Sequence, residues 1–491
     1  MPIASVNLTL LDGALGALPT NTQGDVAIVA GPSTTGPLLS PALFARPADI
    51  QATFGAGPLV ELASLLTYRS GNKPVIVVRT NATTLGGYGV MDNTNVTGAC
   101  VPSEDTSVHP FDEYEAYCQI VVGGTVGSAG ITYQVSLDGG RTLGPVLALG
   151  TTTSITIAAG NVKWNLTSAS LVAGDNWVQT TTAPVEGSTD LTDALTVMQA
   201  CKQQWQFATF ASHMTVAMGE SVMVWLDAMF NSGMMRRAAR ICTRGPAFGE
   251  SDADWQTSII AEWDGATSKR CAVSAGYVEF QSALPGAAQY RRPAGWITTA
   301  RATSPNINPT RNDLGQVDLG NLGPDVKIRD SQGNPKAGLH DESINPGLDA
   351  MGFETLTSIQ GLSGVYCTTP RVLCPLGSDY YLWQYVECVN RAAEAVDLTL
   401  LLRCRKPIEV DAKTGYITAT EAEAINSAVN AAVQSAVGGS VSGANFQVSR
   451  TDNLLVQNAH VHGQETIVPL AYPAGFDVTI GFSNPANGTA V

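Results

Sequence analysis

The clearest alternation of apolar and polar positions lies at the two ends of the chain. In the first segment Val6, Leu8 and Leu10 share one side while Ser5, Asn7 and Thr9 take the other, the period of a half-buried strand. In the last segment Phe476, Val478, Ile480 and Phe482 share one face, with Asp477 and Thr479 opposite. Chain ends fray unless something ties them down. An amphipathic strand at each end, the first tethered through a Gly/Ala/Leu-rich stretch (12–18) and Pro19, fits two readings. Both strands are donated to the sheets of neighbouring subunits, or both pair inside their own domain.

Just ahead of the last strand the period is helical. Ile425, Val429, Ala432 and Ala436 form one stripe, Thr420 is placed to cap it with Glu423 completing a capping box, and Gly438-Gly439 stop it. The period then switches to two at Phe446 and Val448, and again at Leu454 and Val456. The front of the chain reads as α/β. A buried-type strand at 25–30 precedes a short helix at 47–53 ending at Gly55. A longer helix follows from Pro58, carrying Leu59, Leu62, Leu65 and Leu66 as far as Gly71. A second continuous apolar strand at 74–78 is predicted parallel to the first, with the helices across one face.

Between about Thr80 and Pro184 the pattern changes to short strands with many turns. Tyr133, Val135 and Leu137 alternate with polar neighbours before a predicted hairpin turn at Asp138-Gly139-Gly140. Further strands surround 155–157, 164–166 and 177–178, so this stretch reads as a β domain inserted into the α/β one. Helices resume at 190–204 and 220–230. Residues 303–347, rich in Asn, Pro, Gly and Asp, read as a long surface loop or extended excursion. A strand at 364–368 and a long helix after Ser378-Asp379, running into 398–402, complete the pattern.

Composition narrows the function classes. A chain of 491 residues holds two to four domains, and 44% hydrophobic with only 14% charged residues suits a globular protein whose surface is largely covered by other protein. A net charge of -15 argues against nucleic acid or an anionic membrane as partner. The start lacks a signal-peptide pattern, and no apolar run reaches the ~20 residues that span a bilayer. The nine cysteines (Cys100, Cys118, Cys201, Cys242, Cys271, Cys367, Cys374, Cys388, Cys404) have no CxxC spacing and read as reduced, mostly buried thiols of a protein made in the cytosol.

Candidate chemistry is sparse. The turn after the first strand, 31–37, has two glycines but neither a following Lys-Ser/Thr nor GxGxxG spacing, so no phosphate cradle is expected. His460 and His462 share a face if that segment is a strand, but only Asp452 or Glu465 is near enough in sequence to complete a metal site, and hydrogen-bonded imidazoles are expected instead. The pairs Arg236-Arg237 and Arg291-Arg292 read as salt-bridging groups and the dispersed tryptophans as core or interface anchors. No catalytic, cofactor or metal site is expected, and the protein is not read as an enzyme. A flavodoxin-like enzyme or binding module with a β accessory domain is the alternative.

The order of these features resembles the tail sheath proteins of contractile bacteriophage tails and related contractile injection systems. The segments 26–37, 54–60 and 74–79 look like that family's opening domain, and the helix 421–437, Thr451-Asp-Asn-Leu-Leu455 and the final strand look like its C-terminal domain. The resemblance implies a mixed α/β and α+β multidomain fold, a sheath-like core assembled from N-terminal and C-terminal parts with an inserted β-rich domain and extended terminal arms. The implied boundaries are an N-terminal arm at 1–20, the first core part at 21–92, the insert at 93–188, the second core part with its long loop at 189–350, a tube-facing domain at 351–470 and a C-terminal arm at 471–491. It also implies stacked six-fold rings around an inner tail tube, contacts to baseplate and tail terminator proteins, no nucleic acid or membrane partner, and a virion tail assembled in the host cytoplasm. Val6, Leu8, Leu10, Phe476, Val478, Ile480 and Phe482 would be the arm positions that add strands to a neighbour, and contraction would proceed through two packings of the same subunits.

Overall fold

The structure, a computed structural model, describes residues 26–473 apart from 233–234, 248, 287, 312, 330–335, 337, 376, 405 and 456–459, together with 476 and 478. The described residues fall into two compact units. One runs to Pro309 and from Asp313 to Val386; the other is formed by Thr310–Asn312 and the chain from Glu387.

Continuous apolar runs suit strands buried on both faces, and the first unit is built on such a sheet. Its order is Cys271–Ser274, Ala238–Cys242, Phe207–Phe210, Ala27–Pro32, Val75–Thr80 and Ala42–Phe44. The first five run parallel and Ala42–Phe44 lies antiparallel on the edge. Numbered along the chain, the parallel strands read 2-1-3-4-5 from that edge, a doubly wound order. Helices α1 (Pro47–Phe54) and α2 (Pro58–Arg69) join the first two parallel strands as predicted, while α3 (Ser188–Ala200), α4 (Val216–Asn231) and α5 (Asp252–Glu262) make the later crossovers. Ala27, Val29, Val75 and Val77 pack with α2 and with α6 (Ala294–Ala302) on one side. Ile28, Ala30, Ile76 and Val78 pack with α3, α4 and α5 on the other. Leu59, Leu62, Leu65 and Leu66 are fully buried, each worth about 1.5–3 kcal/mol of hydrophobic stabilisation. Gly55 ends α1 at φ 75, a conformation that glycine adopts without strain.

The chain leaves this sheet after Thr80 and returns ahead of α3. Between them Gly87–Asp92, Asn176–Thr182, Glu115–Val122, Thr132–Ser136 and Leu147–Ala148 form one antiparallel sheet; Ser154–Ile157, Val162–Leu166 and Pro102–Glu104 form a second. Trp164 and Trp177 meet edge to face at 5.7 Å in a core shared with Cys118, Ile120 and Ile155, and Trp164 Nε1 donates to Gln179 Oε1 at 2.7 Å. The predicted hairpin turn at 138–140 is a different structure. Thr132–Ser136 pairs with Leu147–Ala148 across a longer connection. The buried Asp138 carboxylate organises that connection, accepting from Ser136 Oγ (2.5 Å) and the Thr142 amide (2.9 Å).

The stretch 303–347 is irregular among its described residues, as expected, but it is not a surface loop. Ile307, Leu314, Leu322, Val326, Ile328 and Leu339 are buried. Its Asp and Ser side chains supply the hydrogen bonds that a ladder would otherwise provide: Asp341, for example, accepts from the Ser343 and Ser358 amides at 2.9 and 3.1 Å. Buried His340 ties the stretch to the start of α5, with Nδ1 facing Asp252 at 2.8 Å and Nε2 facing Glu342 at 3.0 Å.

The second unit takes the part of α7 (Trp383–Leu401) from Glu387 onward, α8 (Ala419–Val437), and an antiparallel pair of strands, Val441–Val448 with Gly463–Pro469. Cys388, Ala392, Ile425, Val429, Val433 and Phe446 make its core. The N-cap of α8 is Thr418, not Thr420: its hydroxyl accepts from the Glu421 amide at 3.4 Å, and Thr420 lies inside the first turn. The buried stripe correspondingly ends on Val433 and Val437, with Ala432 and Ala436 only half-buried beside them.

Candidate functional site

A two-stranded antiparallel pair has two edges, and each unpaired edge is a template for another strand. In the second unit one edge is closed by its own helix. Asn430 and Asn426 are four residues apart and therefore on one side of α8. The Phe446 amide donates to Asn430 Oδ1 at 2.7 Å, Asn430 Nδ2 donates to the Phe446 carbonyl at 3.3 Å, and the Val448 amide donates to Asn426 Oδ1 at 2.9 Å. Phe446 and Val448 thus turn their backbone groups away from the partner strand. Their opposite numbers, Glu465 and Gly463, turn theirs outward on the far side, as alternation in an antiparallel ladder requires. Among the described residues no strand covers that side. Gly463–Pro469 is the open edge, and Val468 is 54% exposed on it. Burial pushes the Glu465 carboxyl above its ordinary range, and neither of its oxygens has a partner among the described residues.

The sequence-predicted arm residues divide. Val6, Leu8, Leu10, Ile480 and Phe482 lie outside the described residues. Phe476 and Val478 are described: they are 85% and 74% exposed and belong to no strand among the described residues. The chain between the paired strands is pinned at Leu454, whose amide donates to the Gly415 carbonyl at 3.0 Å. His462 lies outside the strand and faces Asp452, Nδ1 to Oδ1 at 3.0 Å. The His462 amide at 2.8 Å, with the ring, holds Asp452 below the usual carboxylate range. Among the described residues no group of three or more His, Cys, Asp and Glu side chains could hold a metal ion.

A doubly wound sheet offers a ligand crevice beyond the C-terminal ends of its strands where the order reverses, here between Ala27–Pro32 and Phe207–Phe210. Protein fills that place. A Cβ on Gly31 would lie 2.5 Å from that of Ala211, and Ser212 Oγ donates to buried Glu186. The turn that follows is spent on itself. The Thr34 and Thr35 amides donate to the carbonyls of Ala56 and Phe54, and Arg79 Nε and Nη1 reach the carbonyls of Ser33 (2.9 Å) and Gly36 (2.7 Å). A phosphate cradle needs such amides free.

The other singled-out residues are structural. Arg291 and Arg292 pair with Glu113 and Asp112; Arg236 and Arg237 lie over the rings of Phe230 and Trp205. The eight tryptophans are buried and the nine cysteines are free thiols. No helix is long and apolar enough to cross a membrane among the described residues. Asn426 and Asn430 escaped the sequence reading. Their only signal is a pair of asparagines four apart, each next to a stripe residue (Ile425, Val429) of a helix that runs into a strand.

No protein-family model matches the chain, and no curated protein matches it. Solved structures do. The helical sheath of the anti-feeding prophage in its contracted state aligns over 98% of this chain and 100% of its own, with TM-score 0.50 and 10% identity. The contracted PVC sheath of an extracellular contractile injection system aligns over 99% and 100%, with TM-score 0.50 and 8% identity. A sheath tail protein from Listeria innocua aligns over 92% and 96%, with TM-score 0.45 and 12% identity. At such identities the likeness is one of architecture: this chain has the fold of contractile sheath subunits.

Proposed function

We propose that the protein is the structural subunit of a contractile tail sheath, polymerising around an inner tube and shortening to drive that tube through a bacterial envelope. One observation carries the reading beyond fold. Among the described residues the second unit has one closed and one open sheet edge, and the same chain carries exposed apolar residues, Phe476 and Val478, at strand spacing. On this reading residues 1–20 and 471–491 are arms. The first incoming strand pairs with Gly463–Pro469 of a neighbour and the second pairs with the first, because the opposite edge is taken by Asn426 and Asn430. The core joins N-terminal and C-terminal parts with the β-rich insert between them in sequence, and the partners are stacked hexameric rings of the same chain, the tube, the baseplate and a terminator. The role is mechanical, without an enzymatic step.

Negative-stain electron microscopy of the purified chain tests this. Rings or tubes are expected. A monodisperse monomer at all concentrations and salts, with no tubes in the presence of its tube protein, refutes it.

A further inference from the structure

The β insert is seated on the sheet unit by buried charge as well as by its two chain crossings. Asp112 and Glu113 at its root face the hairpin formed by Tyr277–Gln281 and Gln289–Pro293. Arg292, 1% exposed, donates from Nη2 to Asp112 Oδ2 at 3.2 Å and from Nη1 to the Glu113 carbonyl. Arg291 Nη2 meets Glu113 Oε1 at 3.1 Å, and the Tyr277 hydroxyl donates to Glu113 Oε2 at 3.2 Å. Glu61, from the first turn of α2 and 4% exposed, faces the same Arg292 and bonds Ser282. Tyr114 and Tyr290, edge to face at 5.5 Å, flank the cluster, with the Arg292 guanidinium 4.6 Å from the Tyr290 ring centre.

The surrounding charged groups have partners of their own. Arg141 reaches Glu115 and Glu279 at 2.8 Å each, and Lys336 reaches Glu279. Asp138 accepts from Ser136, Thr142 and, across to the hairpin, the Gln289 amide at 3.2 Å, and Arg244 is paired with Glu250 and Glu262. His213, also facing Glu113, is driven towards the neutral form by burial. The inner set is odd in number, with the carboxyls of Glu61, Asp112 and Glu113 against the guanidinium groups of Arg291 and Arg292.

We propose that this cluster is a proton-held latch: with one carboxyl protonated it is neutral and clamps the insert to the sheet unit, and release of that proton to water leaves a buried net charge that loosens the seat. Burial pushes Asp112 up to about 7 against the pull of Arg292, and pushes Glu61 up as well. A carboxyl raised above its ordinary 3.8 stabilises its protonated form, so the latch is fully shut at lower pH and weakens as pH rises through about 7. This inference is independent of the sheath reading.

Hydrogen exchange of the full chain, corrected for intrinsic rates, tests it at about pH 6 and about pH 8.5 on residues 111–117 and 289–293. The wild-type seat is expected to lose about tenfold protection or more at the higher pH, as linkage over one to two pH units requires. Glu61→Gln evens the charges and is expected to keep protection at both. Asp112→Asn does the same with a different isostere, in case the first variant does not fold. Equal wild-type protection at both pH values, or an undiminished loss in a folded charge-evened variant, overturns the latch.

Discussion

Replacing His340 by Gln removes a cation that two acids hold inside the protein. The imidazole is 1% exposed, its two nitrogens face Asp252 (2.8 Å) and Glu342 (3.0 Å), and its ring centre lies 5.2 Å from that of Trp255. With a carboxylate at each nitrogen, both nitrogens donate and the ring is charged. Burial opposes that charge, but the hydrogen bonds and charges of Asp252 and Glu342 outweigh it and lift His340 from 6.5 to about 9. At about 1.4 kcal/mol per pKa unit this linkage is worth about 3 kcal/mol. Because the folded value lies above the unfolded one, the contribution is complete below pH about 6.5 and is lost as pH rises through about 9. Urea unfolding of wild type and His340→Gln, followed on the transition of the first unit, is expected to show a gap about 3 kcal/mol wider at pH about 6 than at pH about 10. A gap that stays constant across that range refutes the reasoning, since a purely steric loss has no proton in it.

Val478→Asp with Ile480→Asp is expected to abolish tubes while leaving the monomer's melting temperature unchanged, because Val478 is exposed in the isolated chain, whereas Thr479→Lys should assemble; equal assembly in electron micrographs removes the donated strand. Deletion through Leu18 should leave a folded, non-polymerising chain, read by circular dichroism and sedimentation; tubes of normal stability would count against an N-terminal connector. Asn430→Ala strips both bonds to Phe446 and should cost about 1–3 kcal/mol in denaturant unfolding of the second unit. It also uncovers a second edge, so light scattering should rise, and unchanged scattering would mean that the helix alone shields it.

The parts legible in the sequence are those written in local period. The apolar runs at 27–32 and 75–80, Pro58 at the first turn of α2 and Gly55 after α1 all act within a few residues of themselves. Even there a near tie is decided elsewhere: Thr418 and Thr420 both suit an N-cap, and the Thr418 amide donates to the Glu409 carbonyl, which fixes it outside the helix. The buried course of 303–347 was hidden because Asn, Asp and Ser read as solvent-seeking, although the same side chains let an irregular backbone go inside. The seat of the insert joins Glu61, Asp112 and Arg292, and no periodicity links positions so far apart.

If the chain assembles as proposed, the asparagine-covered edge bears on the line of subunits it forms. Were both edges available, a newcomer could attach on either flank, and growth would branch or run both ways without distinction. On the proposed donated-strand reading, with one flank taken, each copy offers one acceptor edge among its described residues, so links would be passed in one sense along the line. A polymer made that way has a head that differs from its tail before any other component arrives. Where it starts and where it stops then become separate recognition problems, one solved by whatever offers the first acceptor and the other by whatever occupies the last.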